Sequence, residues 1–256
     1  MKCANCDNSL RSDFSFCPTC GGKVIRNRLT LKNVWEDISY QVFNLDNTFL
    51  KTFRHLFSQP QSVIESYNSG VRKRYMNPIS YFAIGVTISG IMFYILQDIY
   101  GVKLTETSFA NENTPKLDFV FDYQGILSYL IMPFYALMTW VLFLDKKALN
   151  YTEHLVANAY IVGQVTFVQF LICIPLFGFF DVSYEPVNGL ILLFMVAYQF
   201  YALKKIHQIN FFESLIRALA YFVMLIVLMM GIGIFIAIIG FITGAIKPED
   251  FLPPPQ

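Results

Sequence analysis

Charge is scarce in this chain of 256 residues. Asp, Glu, Lys and Arg together make up 14% of it, where a soluble domain carries about 25%. Histidine occurs three times and tryptophan twice. Such a composition excludes a disordered chain and a coiled coil, both rich in charge, and an ordinary cytosolic enzyme. No secretory signal opens the chain, because Met1-Lys2-Cys3-Ala4-Asn5-Cys6 has no apolar run before a small-residue cleavage site. Catalytic signatures are missing too. No HExxH, no GxSxG and no paired aspartates within an apolar stretch occur. The expectation is that the protein is not an enzyme.

Apolar residues take the place of charge. They make up 55% of the chain, and Phe alone fills 26 positions. Mean hydropathy is +0.48. Five runs have the length and character of bilayer-crossing helices, which take about 20 residues: Ile79–Leu96, Ile126–Leu144, Leu155–Phe177, Gly189–Leu203 and Leu215–Phe241. Five such runs in a soluble core would leave almost no polar surface. The predicted class is therefore an all-α polytopic membrane protein with five transmembrane helices. The fourth run reads as the shortest, with Tyr198, Gln199 and Tyr201 suited to an interface, and the fifth leaves room to run on to Ile246. Asn77-Pro78 supplies a cap and a first-turn proline for span one. Asn150 and Glu153 do the equivalent for span three. Pro133 and Pro175 read as kinks. Gly240 and Gly244 form a GxxxG that lets helices approach closely.

The loops set the orientation. With the N-terminus inside, 16 of the 19 Lys and Arg residues fall on the cytoplasmic side. Eleven of them precede the first span, and Lys146, Lys147, Lys204, Lys205 and Arg217 complete the set. Only Lys103, Lys116 and Lys247 fall outside. Cytoplasmic loops carry such an excess. The N-terminus is expected in the cytoplasm and the C-terminus outside, in a bacterial inner membrane.

In that reducing compartment four cysteines point to metal rather than to disulfides. Cys3 and Cys6 form one CxxC, and Cys17 and Cys20 form another after ten intervening residues. Each CxxC turn presents two thiolates to one side, and two facing turns complete a tetrahedron around zinc. Gly21 and Gly22 let the backbone turn tightly behind the second pair. A unit this small has no hydrophobic core, so one structural zinc per chain supplies its folding energy. Four sulfur ligands make a closed site. Cys173, inside span three, reads as a small buried apolar residue.

Between ribbon and spans, apolar residues recur at helical spacing. Leu31, Val34, Trp35, Ile38 and Val42 form one stripe, and Phe49, Leu50, Phe53, Leu56 and Phe57 a second. Lys51, Arg54 and His55 lie off the second stripe. A short third helix starts near Pro60 and stops at Gly70. Such amphipathic helices lie in the headgroup region. Arg72-Lys73-Arg74 follows, directly before span one, and attracts anionic lipid or sets topology. Arg54, His55, Arg72, Lys73 and Arg74 are the lipid- or partner-binding candidates. Spread along membrane-facing helices, they do not suit nucleic acid.

Polar residues in the membrane half are few. Glu153, His154, Asn158, Gln164 and Gln169 lie at the rim of span three or within it. His154 and Asn158 share a face beside Glu153, a set that could bind metal or move protons but suits a capped helix start. Uncharged polar residues in spans more often join helices than line a pathway. No carboxylate or base sits mid-span, as ion-coupled transport requires. Glu213 and Arg217, in favourable i, i+4 order, read as a structural ion pair.

The order of parts resembles an uncharacterised bacterial family of multi-spanning membrane proteins with an N-terminal zinc ribbon, a domain of unknown function. The matching residues are the four ribbon cysteines, Arg28-Leu29-Thr30-Leu31, Leu45-Asp46, Thr52-Phe53-Arg54-His55-Leu56, Gln59-Pro60, Tyr67, Gly70 through Tyr75, and Asn77-Pro78. The membrane half is similar in layout to the Yip1 family, through Gln59-Pro60, Tyr151-Thr152-Glu153-His154 and the turn Lys204–Asn210 leading to Arg217-Ala218. That family has a cytosolic N-terminus and five spans. The first resemblance implies an architecture and no activity.

The expected organisation is a zinc ribbon over residues 1–25, amphipathic helices over 29–75, a five-helix bundle over 76–246 and an outside tail over 247–256. The expected role is a non-enzymatic scaffold or adaptor, with the lipid bilayer around it and a protein partner at the ribbon. A transporter or channel component is the alternative, and Yip1-like membrane organisation stands beside it.

Overall fold

The computed structural model describes residues 2–3, 6–20, 48–71, 74–104, 123–180 and 182–243. The chain divides into two compact units, Met1–Asp46 and Asn47–Gln256. The helix expected around Leu31–Val42, the Gly21-Gly22 turn, Arg72, Lys73 and the tail 247–256 lie outside the described residues.

In the first unit, the described residues form turns and no strand. Lys2 and Ser9 make an antiparallel bridge. Between them Asp7 donates to the Cys3 carbonyl and Cys3 to the Asn8 carbonyl, both at 2.9 Å. This tight turn needs Asp7 at φ 56°, a left-handed conformation that Asp tolerates better than most residues. Leu10 and Phe14 pack beside Cys3 and Cys17, the apolar core among the described residues of this unit.

The described part of the second unit is helical. Helix α1 is Thr48–Ser58 and α2 is Pro60–Asn68. Helix α3 is Pro78–Tyr94 and continues through one π-helical turn, Ile95–Ile99. Next come α4 (Gln124–Leu142), α5 (Tyr151–Phe179), α6 (Tyr184–His207) and α7 (Phe211–Thr243). Among the described residues, helices α3 to α7 are the five that are long and apolar enough to cross a membrane. The punctuation read from the sequence is present. Asn77 accepts from the Ile79 amide at 2.9 Å, with Pro78 opening the helix. Asn150 and Glu153 form a reciprocal capping box at 2.9 and 2.7 Å.

One expectation about length fails. Helix α6 has 24 residues, and the shortest span is α4 with 19. The polar ends of α6 looked like loops in the sequence. They belong to the helix because they complement its dipole, with Glu185 in the first turn and Lys204, Lys205 and His207 in the last. Gln208, at φ 50°, then closes the helix in the left-handed conformation.

The bundle has its apolar surface outward. Ile79, Leu130, Leu190 and Val227 are 69%, 61%, 68% and 63% exposed. Asn158, Gln164, Gln199 and His154 are buried. That distribution suits a hydrocarbon surround, where interior polar groups join helices. Helices α3 and α5 approach closely. A Cβ on Gly85 would lie 3.2 Å from the Gly163 Cα, and one on Gly163 would lie 3.0 Å from the Tyr81 ring.

Helices α1 and α2 are docked on the spans. The aromatic stripe of α1 meets protein: Phe49 lies against Tyr81 and Phe167, and Phe57 against Tyr198. Leu56, Val63 and Ile64 are fully buried. The last four carbonyls of a helix have no partner within it. Here that of His55 accepts from the Gln59 amide at 2.6 Å. Those of Leu56, Phe57 and Ser58 accept from Tyr198, Tyr201 and Lys205 of α6, at 3.0, 2.7 and 2.8 Å. Tyr198 is therefore a docking residue buried against α1, not an interface anchor.

Candidate functional site

The four ribbon cysteines converge. Their sulfurs all lie within 4.8 Å of one another. Cys3 and Cys20 are 3.7 Å apart, and Cys6 and Cys17 are 3.6 Å apart. A Zn–S bond of about 2.3 Å implies tetrahedron edges of about 3.8 Å, so this donor set fits one tetrahedral ion. The two knuckles are also tied by the Asn8 side-chain amide, which donates to the Thr19 hydroxyl. No cysteine is in a disulfide.

The thiols differ in acidity. At Cys17 the amides of Cys20 and Thr19 stabilise the thiolate and hold its pKa below the ordinary value, against some burial. At Cys6 the Asn8 amide acts in the same direction. The sulfurs of Cys20, Cys17 and Cys3, together with burial, outweigh it and push the thiol up to about 12. Four thiolates packed this closely repel one another, and a divalent cation removes the conflict.

At one end of the bundle the structure assembles a polar cluster. His154 and Asn158 of α5 both reach Thr139 of α4, at 3.2 and 2.8 Å. Asn158 also accepts from Gln199 of α6 at 3.1 Å. His154 stacks on His207 with ring centroids 5.5 Å apart. Phe143 covers His207 at 4.1 Å, and the Arg217 guanidinium lies 4.6 Å from the Phe143 ring. Neither ring nitrogen of His207 has a hydrogen-bond partner among the described residues. Glu153, which the sequence set beside His154, is spent on the capping box. The His154–His207 pair brings together positions on different helices, and no spacing in the sequence signals it.

The neighbouring ion pairs extend further than Glu213 and Arg217. Arg217 grips both oxygens of Asp145, at 2.8 and 2.7 Å, and Glu213 at 2.8 Å. It also bonds the Leu142 carbonyl. Lys146 reaches Glu213 at 2.8 Å. The Arg217 hydrogen bonds hold the Asp145 carboxyl down at about 2. This network clasps the α4–α5 turn to the start of α7.

Gln164 accepts from Tyr81 and donates to the Phe53 carbonyl at 3.2 Å, joining α3, α5 and α1. Gln169 is half-buried. Cys173 is buried beside Met92, Leu96 and Phe177, as a small apolar residue would be. Lys51, His55 and Arg74 gather around Tyr75, and Arg54 lines a groove beside Lys51 and His55. His55 Nδ1 lies 2.8 Å from the Tyr75 hydroxyl, and Arg74 lies 5.4 Å from its ring.

Residues 46–90 match the model of a family described as a protein of unknown function (DUF3667). That stretch holds α1, α2, the basic residues Arg72-Lys73-Arg74 and the first part of α3. No curated protein and no solved structure matches the chain.

Proposed function

We propose that this chain is a non-enzymatic scaffold or adaptor of a bacterial inner membrane, with its N-terminus in the cytoplasm and its C-terminus outside. A zinc-folded ribbon is its handle for a protein partner. The observation that carries this reading is the closed donor set of Cys3, Cys6, Cys17 and Cys20, whose sulfurs lie within 4.8 Å of one another. A site with four sulfur ligands holds structure and leaves no position for a substrate. The Lys and Arg distribution supports the orientation. The buried polar side chains Gln164, Asn158 and Gln199 bond other helices, which supports a fixed bundle over a transport pathway.

Crosslinking in native membranes tests the proposal. The wild type is compared with Cys3→Ser/Cys6→Ser, at matched levels in the membrane. A protein crosslinked to the wild-type ribbon and lost from the variant is the expected result. The same crosslinks from both chains would remove the ribbon as the handle.

A further inference from the structure

Helix α1 carries a groove that the scaffold reading does not use. It has a volume of about 570 Å³ and is lined by Leu50, Lys51, Arg54, His55 and Ser58. Two of the lining residues are cations, and a third cation adjoins them. The Lys51 ammonium lies 5.5 Å from the centroid of the Tyr75 ring, and Arg74 lies 5.4 Å from the same centroid. Arg11, Lys146 and Arg217 make ion pairs with described carboxylates. No described carboxylate neutralises Lys51, Arg54 or Arg74. An anion in the groove neutralises the Lys51 and Arg54 charges that line it.

The groove is also rigid. The Tyr75 hydroxyl engages His55 Nδ1 at 2.8 Å, which leaves Nε2 as the other hydrogen-bonding atom of that ring. The next residue, Met76, is fixed through both of its backbone polar groups. Its amide donates to Thr52 at 2.9 Å, and its carbonyl accepts from Tyr160 at 2.5 Å. The carbonyls of Phe53, Leu56, Phe57 and Ser58 bond α1 to the spans through Gln164, Tyr198, Tyr201 and Lys205. The groove therefore stays beside Asn77-Pro78, where the first span begins.

The donor types select the ligand. Arg presents a planar fork matched to phosphate oxygens, Lys adds a point charge, and His adds a single hydrogen bond. Leu50, 62% exposed in the wall, offers an apolar neighbour to the anion. We infer that this groove binds a phosphate-bearing anion through Arg54 and Lys51, with an anionic phospholipid headgroup as the source that Leu50 and the start of α3 favour. The family match at residues 46–90 covers every residue of the groove.

The test uses the full chain in nanodiscs of phosphatidylcholine, with and without a minority of phosphatidylglycerol. Native mass spectrometry reads the retained lipids. The wild type is expected to keep phosphatidylglycerol over phosphatidylcholine. Lys51→Gln and Arg54→Gln are each expected to lower that preference about fivefold, since a basic residue near anionic lipid contributes about 1 kcal/mol. Lys147→Gln, an exposed cation elsewhere, serves as the control for bulk charge. A second arm titrates inorganic phosphate into the phosphatidylcholine nanodiscs and follows the thermal transition. A stabilisation lost in Arg54→Gln would assign the groove to soluble phosphate instead of lipid. Two results overturn the inference. One is no anion preference in either arm. The other is a loss of preference in Lys147→Gln equal to that in Arg54→Gln.

Discussion

Lys205 donates its ammonium to the Ser58 carbonyl at 2.8 Å, 147 residues away in the chain. With Tyr198 on Leu56 and Tyr201 on Phe57, it makes one face of α6 the C-terminal cap of α1. A helix end capped by another span cannot drift along the headgroup layer. Tyr198→Phe leaves the buried Leu56 carbonyl unpaired and should cost about 1–3 kcal/mol. Hydrogen exchange should show the loss first in residues 48–68, with α3 to α7 slower to respond. Uniform loss across the bundle would contradict local docking.

Gly163 sits where α5 meets α3. Gly163→Ala places a methyl 3.0 Å from the Tyr81 ring, and Tyr81 is held by Gln164. The expected cost is about 1–3 kcal/mol, read as a lower thermal transition in detergent. Gly189→Ala, with nothing within 4 Å of the added carbon, should leave the transition in place.

His154 and His207 separate two roles. His154 is bonded to Thr139 at 3.2 Å, whereas His207 has no partner for either ring nitrogen among the described residues and stacks on Phe143. His207→Phe should be near neutral or slightly stabilising, and His154→Phe should cost about 1 kcal/mol. Equal costs at both positions would show that His207 bonds something beyond the described residues.

Much of the architecture was legible in the sequence. The spans, the caps at Asn77 and Asn150, and the cysteine constellation follow from composition and local spacing, which act within a few residues. What was not legible depends on which helices meet. The GxxxG at Gly240 and Gly244 is an obvious small-residue pattern, but Gly244 lies outside the described residues, and the approach of Gly85 to Gly163 among the described residues has no such local spacing to announce it. Glu213 and Arg217 were readable as an i, i+4 pair. Asp145 and Lys146 were not, because their approach depends on how α4 packs against α7. The aromatic stripe of α1 gave the amphipathicity correctly, but amphipathicity alone does not distinguish lipid from a neighbouring span.

Asp145 gives a pH dependence of known sign. Its folded pKa is about 2, below its ordinary 3.8. A depressed carboxylate pKa contributes stability that is complete above the unfolded value and is lost as pH falls through the folded one. The difference in thermal transition between wild type and Asp145→Asn should be constant above about pH 5. It should shrink below pH 4 and vanish only below pH 2. A difference that grows as pH falls would refute the Arg217 clasp.

The central claim is that the N-terminal segment is folded by one tetrahedral metal ion and that the bundle folds without it. The most direct measurement is hydrogen exchange on the purified full chain, with metal content determined on the same sample, before and after a chelator. The account predicts one zinc per chain, lost in Cys17→Ser. After chelation, protection should collapse across residues 2–20 and stay unchanged in α3 to α7. Protection of residues 2–20 that survives in metal-free protein, or stoichiometric zinc retained by Cys17→Ser, would contradict it.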